Sequence, residues 1–196
     1  MKSLKFSLVL LILIPFFGVS QEGKQTKRAL IIVDVQQFYF PNGFLPLVNP
    51  EQASLQAAKV LKYFRDKGLL VVHVKHATSK DSLINKNVAP LKGEKVFTKH
   101  YANSFRETGL LGYLRQNKIN EVVICGMQTQ MCVEATARAA ADYNFDVIVI
   151  GDACATRNIV YKGDTVKAAD VQASTLGSIE GYYGKVMTTE EFLKQN

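Results

Sequence analysis

Three side chains in this 196-residue chain could do nucleophilic chemistry together: Asp34, Lys99 and Cys132. Cys132 follows a polar stretch after Ile124-Cys125-Gly126 and opens the alanine-rich helical run Cys132-Val133-Glu134-Ala135-Thr136-Ala137-Arg138-Ala139-Ala140-Ala141. A thiol at a helix N-terminus sits among unpaired backbone N–H groups at the positive end of the helix dipole. That position is expected to lower its pKa and favour the thiolate. The same N–H groups can receive the oxygen that becomes negative when a thiolate attacks a carbonyl. A nucleophilic cysteine also needs a base for its proton, and a carboxylate can serve, especially if burial raises its pKa. Asp34 supplies the carboxylate and Lys99 a cation for the resulting anions. Taken singly, each has an ordinary reading: a buried structural thiol, a strand-end cap and a solvated lysine.

The elements that must position these residues are legible as apolar runs. Ala29-Leu30-Ile31-Ile32-Val33 ends at Asp34, and Leu69 to Val74 forms a second run. Lys95-Val96-Phe97-Thr98 ends at Lys99, Glu121 to Cys125 precedes the cysteine stretch, and Asp146 to Ile150 ends near Asp152. Continuous β-branched runs of this length are strands buried on both faces of a parallel sheet. Lys185-Val186-Met187 makes a sixth strand before a polar tail. Helical spacing predicts helices over 50–67, 108–117, the run from Cys132, and 163–179. Residues 76–93 form a polar loop long enough to be functional. Alternation of this kind predicts an α/β protein: a three-layer α/β/α sandwich around a six-stranded, mostly parallel, Rossmann-like sheet. In such sheets the site lies outside the carboxyl ends of the strands, where Asp34, Lys99 and Cys132 all fall.

Composition narrows the partners. The apolar fraction of 47% suits one core, and the net charge of +7 is dispersed, so nucleic-acid binding is not expected. Met1 to Ser20 differs from the rest: two lysines, an apolar run from Phe6 to Phe17, then the small residues Gly18-Val19-Ser20. This pattern predicts a cleavable signal peptide over 1–20, since a membrane span needs about 20 apolar residues. A polar tail over 21–28 and one domain over 29–196 would follow, in an exported, periplasmic or secreted protein with no stable membrane anchor. The cysteine count is three. Cys125 and Cys154 could pair or remain buried thiols, and Cys132 is the one best left free.

Four segments carry a resemblance that is more specific. Leu30-Ile31-Ile32-Val33-Asp34-Val35-Gln36, Val96-Phe97-Thr98-Lys99-His100-Tyr101-Ala102-Asn103-Ser104-Phe105, Ile124-Cys125-Gly126-Met127-Gln128-Thr129-Gln130-Met131-Cys132-Val133 and Gly151-Asp152-Ala153-Cys154-Ala155-Thr156-Arg157 resemble, in order, the isochorismatase-like cysteine hydrolases. The resemblance runs from residue 29 to the C-terminus. It implies that Asp34, Lys99 and Cys132 form a catalytic triad, with a cis peptide between Met127 and Gln128. It also implies an oxyanion hole from the backbone N–H groups of Gln128 and Cys132. The implied reaction is C–N hydrolysis of a small amide or ureido compound through a thioester. Two alternatives stay open: a vinyl-ether hydrolase that can dispense with the thiol, and a non-catalytic thiol or redox protein.

Nicotinamidases of this superfamily carry an Asp-x-His metal motif after the second strand. Here His76-Ala77-Thr78 stand there, so neither metal nor any other cofactor is expected. Gln36, Tyr39, Phe40, His76, Tyr101 and Phe105 are expected to wall a small substrate pocket. The resemblance further implies a homodimer or homotetramer, with the C-terminal helix region as its interface.

Overall fold

A computed structural model describes residues 26–78 and 83–195. The expected signal peptide, residues 21–25 of the polar tail and part of the long loop lie outside the described residues. The apolar runs form the strands β1 (Arg28–Val33), β2 (Leu70–His76), β3 (Lys95–Lys99), β4 (Glu121–Met127) and β5 (Asp146–Ala155), joined by β8 (Lys185–Met187). They make one six-stranded sheet in the order β3-β2-β1-β4-β5-β8, with every pairing parallel. Leu30, Ile31, Val33, Val123, Ile124 and Val149 have no solvent exposure, as expected for strands covered on both faces.

Among the described residues five α-helices flank the sheet: α1 (Pro50–Asp66), α2 (Leu110–Gln116), α3 (Glu134–Asp142), α4 (Ala168–Tyr182) and α5 (Thr189–Gln195). Helix α1 buries Ala53, Ala57, Val60, Leu61 and Phe64, the stripe its spacing predicts. Phe192 of α5 stacks on Phe64 of α1, with ring centroids 6.1 Å apart. No helix of the described residues is long and apolar enough to cross a membrane.

The structure corrects the reading near the C-terminus. The helix expected over 163–179 is α4, but its expected first residues belong to a two-stranded antiparallel hairpin, β6 (Ile159–Tyr161) and β7 (Asp164–Val166), that precedes it. Gly163, read as a helix start, is in the hairpin turn with φ of 92°. Helix α4 begins only at Ala168, whose N–H is bonded to the Asn158 side chain at 2.8 Å. The expected polar tail after β8 is instead helix α5, which buries Thr189 and Phe192.

The chain lays β1, β2 and β3 in one direction, then returns to set β4 on the other side of β1. The strand order therefore reverses between β1 and β4, and a crevice opens there at the carboxyl ends. Gly126 makes this junction tight. Its φ is 131°, and a Cβ on it would fall 1.9 Å from the Val33 carbonyl oxygen, so only glycine lets β4 pass so close to β1.

Candidate active site

Three strands, β1, β3 and β4, each lead to one residue of the crevice. Asp34 follows β1 in the left-handed region, with φ of 50°, and its N–H is bonded to the Val74 carbonyl at 2.9 Å. Such a conformation is uncommon for a non-glycine residue and is found disproportionately at functional sites. Lys99 ends β3, where it pairs in register with His76 of β2. Cys132 lies in a single wide π-type turn, Thr129–Val133, which runs directly into α3. Turns of this type recur at functional positions. The peptide between Met127 and Gln128, just before the turn, is cis.

Distances bring the three together. Lys99 Nζ lies 2.6 Å from Asp34 Oδ2 and donates to Cys132 Sγ at 3.1 Å. Asp34 and Lys99 have no solvent exposure and Cys132 has 4%. The Gln128 carbonyl accepts from the backbone N–H groups of Met131 and Val133, on either side of Cys132, at 3.1 and 3.2 Å.

The electrostatics follow from burial. Loss of water raises the Asp34 pKa above the ordinary carboxylate value, although the Lys99 ammonium pulls the other way. The Cys132 thiol is pushed up to about 12, first by burial and then by the nearby Asp34 carboxylate. This overturns the expectation from the helix terminus alone. The dipole and Lys99 favour a thiolate, but desolvation and a like charge outweigh them. At neutral pH the thiol therefore holds its proton, and a base is required.

One oxygen of Asp34, a ring nitrogen of His76 and the sulfur of Cys132 lie within 4.8 Å of one another, an arrangement that could hold a metal ion. All three groups already face the Lys99 ammonium, which meets Asp34 at 2.6 Å, His76 Nδ1 at 3.0 Å and Cys132 at 3.1 Å. A second cation at their centre would meet that charge, so the donor set fits lysine rather than metal. His73 takes no part: its Nε2 is bonded to Glu94 at 2.9 Å.

The residues expected to wall a pocket divide. Tyr39 faces the site, its hydroxyl accepting from Gln128 Nε2 at 3.5 Å. Gln128 in turn accepts from Gln130 at 3.2 Å, and Gln130 from the Thr156 hydroxyl, so amides and hydroxyls form a string across the mouth. His76 is half-buried against Lys99. Gln36 is fully buried, and its side chain is engaged with the His76 backbone, so it is a brace and not a wall. Phe105 packs on Phe145 and edge-on to Tyr143, at 6.2 and 5.3 Å between centroids, within the core. Phe40 is buried, and Tyr101 is partly exposed beneath the Arg106 guanidinium. A cavity of about 370 Å³ lies alongside, without Cys132 in its lining. It adjoins the site through Thr156 and Gln172, whose partners Gln130 and Thr129 lie in the cysteine turn.

Thr136 and Ser104 belong to the site's support and were not singled out from the sequence. The Thr136 hydroxyl donates to the Cys132 carbonyl at 2.6 Å and is met by Ser104 Oγ at 2.7 Å. This ties the loop after Lys99 to the cysteine turn. The four-residue spacing of Cys132 and Thr136 on one helix was the available signal.

Fold and site together define a doubly wound α/β protein with a buried cysteine at the switch point of its sheet. The chain belongs to the isochorismatase family: the Isochorismatase domain model matches residues 28–191. It is 40% identical over 177 residues to the uncharacterized isochorismatase family protein YddQ of Bacillus subtilis, covering 85% of this chain and 98% of that one. It is 29% identical to the maleamate amidohydrolase of Pseudomonas putida, covering 88% of each chain. Among solved structures, the putative isochorismatase hydrolase from Oleispira antarctica superposes with a TM-score of 0.83 at 37% identity, covering 88% of this chain and 98% of that one. The protein is thus an isochorismatase-family hydrolase, with amidohydrolases among its relatives.

Proposed function

We propose that this hydrolase cleaves a C–N bond of a small amide or ureido compound through a thioester on Cys132. The observation that carries the reading is the single ammonium joining a buried carboxylate and a buried thiol, at 2.6 and 3.1 Å. Asp34, whose raised pKa makes it a stronger base, takes the thiol proton as Sγ adds to the substrate carbonyl. The negative oxygen is received by the backbone N–H groups of Gln128 and Cys132. The C–N bond then breaks, and the nitrogen leaves with the proton held by Asp34. Water, giving its proton to Asp34, attacks the thioester and frees the acid, and that proton returns to the thiol. Lys99 stays an ammonium throughout and offsets the charge that passes between Asp34 and Cys132. No cofactor enters these steps. Tyr39 and the string Gln128, Gln130 and Thr156 orient a small planar substrate.

Incubation with a panel of small amides, followed by intact-protein mass spectrometry, tests the reading. Wild type should trap an acyl adduct on Cys132, and Cys132→Ser should neither trap it nor turn over. Full turnover by Cys132→Ala would overturn the thioester route and favour vinyl-ether cleavage. Peroxide sensitivity with no adduct would favour a redox thiol, a role that a thiol pKa of about 12 suits poorly.

We further propose that the protein is exported after cleavage near Ser20 and works as a homodimer or homotetramer. An intact Met1 on the mature protein, or a monomeric mass by light scattering, would refute the respective point.

A further inference from the structure

The Lys99 ammonium is fully buried and carries three protons, two of which are directed at Asp34 and Cys132. The third meets His76 Nδ1 at 3.0 Å. For Lys99 to donate there, His76 must carry its own proton on Nε2. The ring is held by unusual means. The Gln36 carboxamide grips the His76 backbone from both sides, its Oε1 accepting from His76 N at 2.7 Å and its Nε2 donating to His76 O at 3.1 Å. Residue 76 is also paired in register with Lys99, and the Ala77 N–H is bonded to the Lys99 carbonyl at 2.8 Å. A chain of contacts thus runs from the Asp34 loop through Gln36 and His76 back to Lys99.

We infer that His76 is a positioning residue: its Nδ1 lone pair satisfies the third ammonium proton and so aims the other two at Asp34 and Cys132. This role rests on the thioester reading above, but it makes a claim about the thiol that needs no substrate. A buried donor left without an acceptor bears the cost of its desolvation, more so when charged. Removing Nδ1 leaves Lys99 free to rotate away from the sulfur, and the Cys132 thiolate loses its counter-charge. Protonating His76 has the same effect and adds a second cation beside Lys99. The groups facing the ring are Lys99, Asp34, Cys132 and His100. Burial first, and then Lys99, keep the imidazole below its ordinary pKa, so the acceptor is present at neutral pH.

Alkylation of Cys132 by iodoacetamide, followed by peptide mass spectrometry from pH 7 to 10, tests the inference with no substrate. Asparagine places its Oδ1 near the position of Nδ1, whereas glutamine reaches only toward Nε2. His76→Asn should stay within about threefold of wild type. His76→Gln and His76→Ala should both react about tenfold more slowly, with their rate curves displaced upward by about one pH unit. Unchanged or faster alkylation in His76→Ala, or a His76→Gln that matches His76→Asn, would overturn the inference. If His76→Ala does not fold, judged by circular dichroism, the asparagine and glutamine variants decide alone. A missing acyl adduct on wild type would sink the thioester reading while leaving this result standing.

Discussion

Two clusters in this molecule use the same three kinds of side chain at opposite ends of the sheet. At the carboxyl end, Asp34, His76 and Lys99 meet beside Cys132. At the amino end, Glu94, His73 and Arg65 meet just before β3. Both histidines come from β2, and their odd spacing puts them on opposite faces of the strand. The difference lies in how the carboxylate is satisfied. Arg65 grips Glu94 with two bonds of 2.7 and 2.8 Å, the Leu91 N–H adds one at 2.8 Å and His73 another at 2.9 Å. These partners outweigh partial burial and hold Glu94 at about 2. Asp34 has one ion pair, and its Oδ1 has no hydrogen-bond partner among the described residues, so burial wins and its pKa rises. A carboxylate held by four bonds, as Glu94 is, holds structure together. One left short of partners is free to take a proton.

The sharpest way to break this comparison is to neutralise each carboxylate in turn. Asp34→Asn removes the base while keeping the shape. Turnover should fall by about 10³-fold or more, in line with the loss of a general base that also serves a nucleophile. It also leaves the fully buried Lys99 ammonium without its counter-charge, so the thermal midpoint should fall as well, by the equivalent of about 3–5 kcal/mol, and turnover is compared per folded molecule. An active Asp34→Asn enzyme would show that the unsatisfied carboxylate is incidental.

Glu94→Gln should lower stability and leave turnover alone. It leaves the Arg65 guanidinium without its counter-charge and weakens four hydrogen bonds, which costs about 2–3 kcal/mol by the usual price of disrupting a charged, partly buried network. Thermal unfolding should show that loss, while kcat per folded molecule stays within about twofold. If Glu94→Gln lowered activity as much as Asp34→Asn, the two ends of the sheet would have to be treated as one coupled network.

Thr136→Val gives a smaller and mixed effect. It removes the hydroxyl that bridges Ser104 and the Cys132 carbonyl, at a cost of about 1 kcal/mol in stability. A few-fold loss in kcat with little change in KM should follow as the cysteine turn loosens. Unchanged kcat would confine this bridge to the structural side of the comparison.

How much of this could be read from the chain follows physical lines. The parallel strands were legible because burial on both faces leaves continuous runs such as Leu30-Ile31-Ile32-Val33. Asp34, Lys99 and Cys132 were legible because strand ends mark the crevice. The β6–β7 hairpin was not, since its three-residue strands are largely exposed and Val160 and Tyr161 carry no alternating pattern. Helix α5 left a signal that went unread. Thr188 and Glu191 form a capping box, the Glu191 carboxylate accepting from Thr188 N at 2.7 Å and the Thr188 hydroxyl accepting from Glu191 N at 3.2 Å. The contact of His76 with Lys99 depends on the β2–β3 register, which no local pattern encodes. The raised thiol pKa depends on burial depth, which the helix-terminus argument could not weigh.

The finest test of the comparison is pH. Glu94 has a folded pKa of about 2 against an ordinary 4.5, so its contribution is complete above about 4.5 and is lost as pH falls toward 2. His73 has a folded pKa below its ordinary 6.5, chiefly because burial disfavours the cation. Its unfolded form therefore takes up a proton first, and stability declines as pH falls below 6.5 toward the folded value. Both groups make acid destabilising, in successive windows. Asp34 has the opposite sign: its raised pKa means the folded state binds its proton more readily, so this group favours folding as pH falls. The midpoint difference between wild type and Glu94→Gln, measured by thermal unfolding, should hold steady between pH 8 and 5 and then narrow below pH 4.5. The narrowing cannot exceed the gap at neutral pH, which makes this the smallest of the expected effects. A gap that stayed constant down to pH 3 would mean that the Glu94 cluster is held by packing and not by its charge.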